Sequence, residues 1–87
     1  MAGNENELTV VIGIRVREGR LGEISNHLKE VDSIKAIYEV TGDYDILMVS
    51  HFKNRAELER FIKETLKWKY IERTNTFVAI NTVKESN

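Results

Sequence analysis

The sequence contains no cysteine, no charge excess of either sign and no long hydrophobic run. Without cysteine there can be no disulfide framework and no cysteine-ligated metal. No apolar stretch approaches the roughly 20 residues that span a bilayer, and the polar first seven residues lack the apolar core of a signal peptide. We therefore expect a cytoplasmic protein that does not contact membranes. The 13 basic and 14 acidic residues leave a net charge of −1, which gives no overall attraction to nucleic acid.

The chain is also short. Its 87 residues are enough for one domain, but a domain of this size buries only about 60–65% of the surface that its unfolded chain exposes. Partner subunits usually compensate for so thin a core when disulfides and metals are absent. The length alone thus favours self-association.

Hydrophobic periodicity alternates between the period of a strand and that of a helix. Apolar residues recur at every second position in residues 8–16 and 34–40, and 46–52 is almost continuously apolar. Steps of three and four predict one helix over residues 21–31, and a second begins after an Asn54–Glu57 capping box. Residues 70–83 read as a final long strand. The predicted order is therefore strand, helix, strand, strand, helix, strand.

This order predicts an α+β, ferredoxin-like βαββαβ sandwich. Right-handed crossovers place the first and third strands at the centre of a four-stranded antiparallel sheet with strand order 4-1-3-2. Both central strands are apolar on both faces, whereas two helices cover only one face of the sheet. We therefore expect a second copy on the other face, in an α+β-barrel-like dimer. The domain should span residues 8–83, between a disordered tail at 1–7 and a second tail at 84–87.

The turn between the second and third strands combines a glycine with two carboxylates. Gly42 can adopt the positive φ that a tight hairpin requires. Asp43 places a carboxylate beside turn amides, so the hairpin can pair with both an ammonium and a carboxylate. The zwitterionic backbone of an amino acid suits such a site. The alternative is that Asp43 only forms the turn, that Tyr44 packs across it and that Asp45 closes it.

Two segments carry a resemblance to a known family. Val40-Thr41-Gly42-Asp43-Tyr44-Asp45-Ile46-Leu47 resembles the signature of the RAM (regulator of amino-acid metabolism) domain, the effector-binding half of the Lrp/AsnC feast/famine transcription regulators. Arg73-Thr74-Asn75-Thr76-Phe77-Val78 is similar to that family's Thr-x-Thr strand. The two segments occur in the family's order, and the resemblance extends over residues 8–83.

The resemblance implies a ligand-binding and oligomerisation module. Dimers would assemble into rings, commonly octamer-like, with a small amino-acid effector bound between dimers. Only seven polar residues precede the first strand, in place of the family's helix-turn-helix half, so we expect a stand-alone module that contacts no nucleic acid directly and that could co-assemble with a full-length regulator. No cofactor is implied. Carried over residue by residue, the ligand-binding positions are Thr41, Gly42, Asp43, Tyr44, Thr74 and Thr76.

Two other classes of function stay open at this stage. A small dimeric oxygenase or isomerase shares the fold, but the sequence offers it only the scattered polar residues Tyr38, His51 and Asn75. The other alternative is an assembly protein that binds no ligand. No catalytic triad, glycine-rich phosphate loop or metal-ligand spacing is identifiable, so we expect no catalytic and no metal-ligating residues and predict that the chain is not an enzyme.

Two further residues have structural interpretations. Gly13 in the first strand indicates a place of close packing. Trp68, between two lysines, could anchor an oligomer contact or stack on a nucleic-acid base, although a cap over the open end of the core is the simplest interpretation.

Overall fold

The computed structural model describes residues 7–86 and confirms the predicted order of elements. The strands and helices are β1 (Leu8–Val16), α1 (Leu21–Leu28), β2 (Ile34–Glu39), β3 (Ile46–Phe52), α2 (Arg55–Thr65) and β4 (Ile71–Val78). The strands form one antiparallel sheet in the order β2-β3-β1-β4, which is the predicted 4-1-3-2 order. Of the predicted tails at 1–7 and 84–87, residues 1–6 and 87 lie outside the described residues. Neither helix of the described part has the length or apolarity to cross a membrane.

One face of the sheet packs under the two helices and forms the core. Because successive strand residues point to opposite faces, β1 and β3 each send every second side chain towards the helices. These side chains are buried, and the helices meet them with large apolar residues of their own. The core consists of Val10, Ile12, Ile14, Val16, Ile46, Met48 and Phe52 from the central strands, and of Ile24, Leu28, Leu58, Phe61 and Leu66.

Helix α2 begins at a side-chain cap, as its sequence predicts. Asn54 is extended, and its Oδ1 accepts a hydrogen bond of 2.9 Å from the backbone N–H of Glu57. The reciprocal bond differs from the expected pattern, because Glu57 Oε1 accepts from the N–H of Lys53, at 3.0 Å, rather than from that of Asn54. The Glu57 side chain therefore ties the loop before the helix to its first turn.

The predicted final strand over 70–83 is too long. Strand β4 ends at Val78, which lies opposite Val10 of β1, and one further bond joins Ala79 N–H to the carbonyl of Thr9. The paired residues stop at Val10 although β1 begins at Leu8, and in this register residues 81–83 lie beyond the start of β1. Ile80 and Val83 are almost fully exposed. Helix α1 also ends earlier than predicted, since residues 29–33 form turns.

The second face of the sheet carries no helix, and we call it the open face. One row of apolar side chains crosses it on all four strands, because the register aligns Ala36 with Val49, Val49 with Val11, and Val11 with Phe77. Three of these are half-buried, while Phe77 retains 56% of its surface exposed. The open face is thus apolar at its middle and uncovered in the single chain.

Candidate functional site

The loop between β2 and β3 is bonded to the end of β1. Val40 N–H donates to the Asp45 carbonyl at 2.9 Å, and Asp45 N–H donates to the Ile14 carbonyl at 2.9 Å. The Asp45 carboxylate accepts from Val16 N–H at 2.7 Å. Asp45 therefore closes the turn, as one of the two interpretations of its sequence predicts. Gly42 has a φ of 112°, which confirms the need for glycine there.

Tyr44 lays its ring across β1 on the open face, directly above Gly13. A Cβ added to Gly13 would lie 3.0–3.1 Å from three atoms of that ring, which is closer than carbon atoms can pack without displacement. The Tyr44 hydroxyl oxygen accepts a hydrogen bond from Asn75 Nδ2 of β4. Close packing at Gly13 is thus confirmed, and the partner is the hairpin's own aromatic ring.

Two arginines hold the hairpin from the sheet. Arg15 and Arg73 lie directly opposite each other on β1 and β4. Arg15 Nη1 donates to the carbonyl oxygens of Gly42 and Asp43 at 3.5 and 3.3 Å, and Arg73 Nη2 donates to that of Asp43 at 3.4 Å. The Arg73 guanidinium also stands 5.5 Å from the centre of the Tyr44 ring, in cation–π geometry.

Sequence reasoning missed Arg15, Arg73 and Asn75 as partners of the hairpin. The signal that could have found them is the alternation of β4: if its threonines share one face, the residues beside them share the other. The β1–β4 register also shifts between Arg15 and Val16, an irregularity that the hydrophobic pattern does not encode.

The six residues predicted to bind a ligand are divided between the two faces of the chain. Thr41, Gly42 and Asp43 are exposed at the hairpin tip, and Tyr44 is half-buried on the open face. Thr74 and Thr76 lie opposite Ile14 and Ile12, so both point to the helix side of β4. A single chain therefore brings the first four residues together but does not bring the two threonines to them.

A recess of about 360 Å³ lies beside the hairpin, where β1 ends. It is lined by Arg15, Val16, Glu18, Asp45 and Glu72. Three carboxylates thus share the recess with Arg15, yet within residues 7–86 no carboxylate oxygen is within 4.0 Å of the Arg15 or Arg73 guanidinium. The hairpin end of the open face therefore presents both signs of charge.

The remaining candidates have structural roles. Trp68 packs against the core, with the His27 ring 4.4 Å and the Tyr70 ring 5.7 Å from it, centre to centre, which confirms that it caps the core.

Within residues 7–86, no three His, Cys, Asp or Glu side chains are grouped as metal ligands are. The polar residues considered for an enzyme, Tyr38, His51 and Asn75, lie opposite Leu47, Thr9 and Gly13. They therefore line the open face and not a cavity under the helices.

Comparison with known proteins identifies the family. Residues 9–87 match the family model of the Lrp/AsnC ligand binding domain. The chain belongs to this family. An uncharacterised HTH-type transcriptional regulator of Pyrococcus furiosus is 38% identical over 79 residues, which make up 91% of this chain and 53% of that protein. The Lrp/AsnC ligand binding domain described here thus spans about half the length of the curated relatives it matches.

Solved structures agree with this assignment. A crystal structure of a Thermus thermophilus protein superposes with a TM-score of 0.83 at 26% identity, covering 90% of this chain and 99% of the other. A Neisseria meningitidis transcriptional regulator, solved in complex with L-Met, superposes with a TM-score of 0.85 at 15% identity. The aligned region makes up 91% of this chain and 53% of the regulator's chain. At 15% identity, the similarity to the Neisseria structure shows a shared fold alone. The relatives are HTH-type transcriptional regulators and not enzymes, so the domain belongs to a regulatory family.

Proposed function

We propose that this Lrp/AsnC domain binds a small amino acid at contacts between its dimers and thereby modulates amino-acid-responsive transcription. The observation that carries the proposal is the hairpin, which projects an exposed Asp43 and a glycine from a rigid sheet in a domain of a ligand-binding family. The Neisseria regulator of the same fold binds L-Met, which supports an amino acid as the class of effector.

The hairpin offers a partner for each charged group of a zwitterion, the ammonium and the carboxylate. Asp43 supplies a carboxylate for the ammonium. Among the described residues, no acceptor is hydrogen-bonded to the backbone N–H groups of 41–44, and such turn amides bind anions. Because Thr74 and Thr76 point to the opposite side of the sheet, they would contact a ligand held by another chain's hairpin. A complete site therefore needs at least two copies.

Self-association is the second part of the proposal. The row Ala36, Val49, Val11 and Phe77 gives the open face an apolar centre that no helix covers. Burying such a row against its counterpart in a second copy stabilises a dimer by the hydrophobic effect. We further propose that dimers join through their hairpins and β4 edges into a ring, with an octamer as the favoured size, and co-assemble with full-length regulators of the family.

A screen of the twenty amino acids by thermal shift tests the ligand. An effector at about 100 times its Kd adds about 2.7 kcal/mol of stability and raises the melting temperature of a domain of this size by about 10 °C or more. We expect one or a few amino acids to produce such a shift, and Asp43→Ala to lose it while staying folded. Asp32→Ala, an exposed aspartate after α1, is the matched control and should respond like the wild type.

The proposal fails if no amino acid shifts the melting temperature even at millimolar concentration. Light scattering on the same samples then separates the alternatives. A stable multimer without any ligand response would identify a pure assembly protein, whereas a 10.1 kDa monomer at high concentration would refute self-association as well.

A further inference from the structure

Two arginines stand side by side at the hairpin end of the open face, and no carboxylate of residues 7–86 pairs with either of them. Arg15 and Arg73 are exposed and directly opposite each other across β1 and β4. Like charges in that position repel and destabilise a sheet. Both arginines contact neutral groups. They donate three hydrogen bonds of 3.3–3.5 Å to the backbone carbonyls of Gly42 and Asp43, and Arg73 also lies over the face of the Tyr44 ring.

The surrounding contacts fix where both guanidinium groups lie. Arg73 stacks on the Tyr44 ring, which is itself seated on Gly13 and bonded to Asn75. Arg15 and Arg73 both donate to the same carbonyl, that of Asp43. Each guanidinium carries five N–H donors, so most donors of the pair are left for a further acceptor. An arginine pair with a fixed position and spare donors is the arrangement that binds carboxylates bidentately.

We propose that Arg15 and Arg73 bind the carboxylate group of the amino-acid effector. The inference rests on the proposed function and adds two residues to its site. The neighbouring recess explains why the pair would select a zwitterion over a multiply charged anion. Its three carboxylates repel phosphate or a dicarboxylate, yet they attract the ammonium group that accompanies an α-carboxylate.

Isothermal titration of an amino acid that stabilises the wild type tests this assignment. Arg15→Gln and Arg73→Gln each remove one charged donor set, and we expect each to weaken binding about tenfold or more. Without ligand, both variants should stay folded and melt near the wild-type temperature, because relief of the like-charge pair offsets the loss of the long hydrogen bonds to the hairpin. Arg60→Gln, an exposed arginine on α2, should bind like the wild type. The amide of the same amino acid, which lacks the carboxylate charge, should bind all four proteins equally weakly.

Other outcomes would overturn the assignment. Unchanged affinity in both variants would leave the effector proposal standing and remove the arginines from it. If sedimentation shows that the variants fall apart into smaller assemblies, the arginines act on a carboxylate of a second copy and not on a free amino acid.

A second measurement keeps the two proposals separate if no amino acid binds the wild type. Sodium acetate, compared with equal sodium chloride, should shift the side-chain NMR signals of Arg15 and Arg73 and leave that of Arg60 in place. Such a shift would preserve the carboxylate site while the effector proposal fails. Signals that stay unmoved would overturn both.

Discussion

At the scale of single residues, the contact between Gly13 and Tyr44 decides the shape of the site. Glycine in the interior of a strand weakens the strand, so its presence in the central strand β1 needs a compensating gain. The gain is room for an aromatic ring to lie flat on the sheet, where its hydroxyl reaches Asn75 of the neighbouring strand. Glycine at this position thus allows the hairpin to be held by two strands, β1 and β4.

Gly13→Ala should displace the Tyr44 ring. The added Cβ would meet the ring at 3.0–3.1 Å, and we expect a loss of about 1–3 kcal/mol in the free energy of unfolding measured with urea. In a Tyr44→Ala background the same change should be neutral or stabilising. Gly22→Ala is the control, because nothing lies within 4 Å of its added Cβ and alanine favours the helix by about 1 kcal/mol. Equal effects of Gly13→Ala in both backgrounds would contradict the contact.

Ser50 is the one buried polar residue among those described whose side chain lacks a hydrogen-bond partner. It lies opposite Val10 on the helix side of β3. Since an unpaired buried hydroxyl costs about 1–3 kcal/mol, we expect Ser50→Ala to raise the free energy of unfolding by about 1 kcal/mol. Ser25→Ala should lower it instead, because Ser25 donates a 2.6 Å hydrogen bond to Glu39. Destabilisation by Ser50→Ala would indicate that the hydroxyl is bonded after all, for example to a buried water.

At the scale of elements, the sequence predicted the ends of a strand or helix best where a single local pattern sets them. Strands β1 and β3 begin and end where their apolar pattern does, and α2 begins at its cap. The end of β4 could not be predicted in this way, because it depends on how far β4 stays paired with β1. The partners of Tyr44 were missed for the same reason: the face and register of β4 are properties of the paired strands, not of either sequence segment.

The N-cap of α2 gives a prediction about one element. Asn54→Ala removes the acceptor for Glu57 N–H, and we expect a loss of about 1 kcal/mol in the free energy of unfolding. Asn54→Asp should retain most of the stability, since aspartate caps as well as asparagine. Asn26→Ala, at an exposed position of α1, should have little effect. If Asn54→Ala were equally silent, the cap would contribute nothing to the folded state.

At the scale of the whole molecule, the sequence predicted the two-sided apolar pattern of the central strands, and the structure locates it as one row across the open face. Fold, strand order and family followed from periodicity and from two short motifs. Four of the six residues predicted to bind a ligand lie together at the hairpin, whereas the two threonines face the other side of the sheet. The sequence could not predict which of these residues share a face, because that depends on the register in which β4 pairs with β1.

Phe77→Glu tests whether the open face joins two copies. Phe77 stands at the end of the apolar row, 56% exposed and opposite Val11, so the single chain should tolerate a charge there. Buried against a second sheet, the same carboxylate would be desolvated without a partner. We expect sedimentation to show dissociation to monomers with retained circular dichroism. Arg60→Glu, on the outer surface of α2, should leave the assembly intact, and an intact assembly in Phe77→Glu would rule out this face.

The attachment of the hairpin to the sheet has a consequence for the thermodynamics of recognition. A free loop must lose conformational entropy when it closes on a ligand. Here the aromatic anchor, the closing backbone bonds and the two guanidinium groups impose that order before any ligand arrives. For the proposed effector, this hairpin would be a preorganised receptor, and its affinity would not be reduced by the cost of ordering the loop. In the proposed assembly, any response would then come from the contacts that the effector adds between chains.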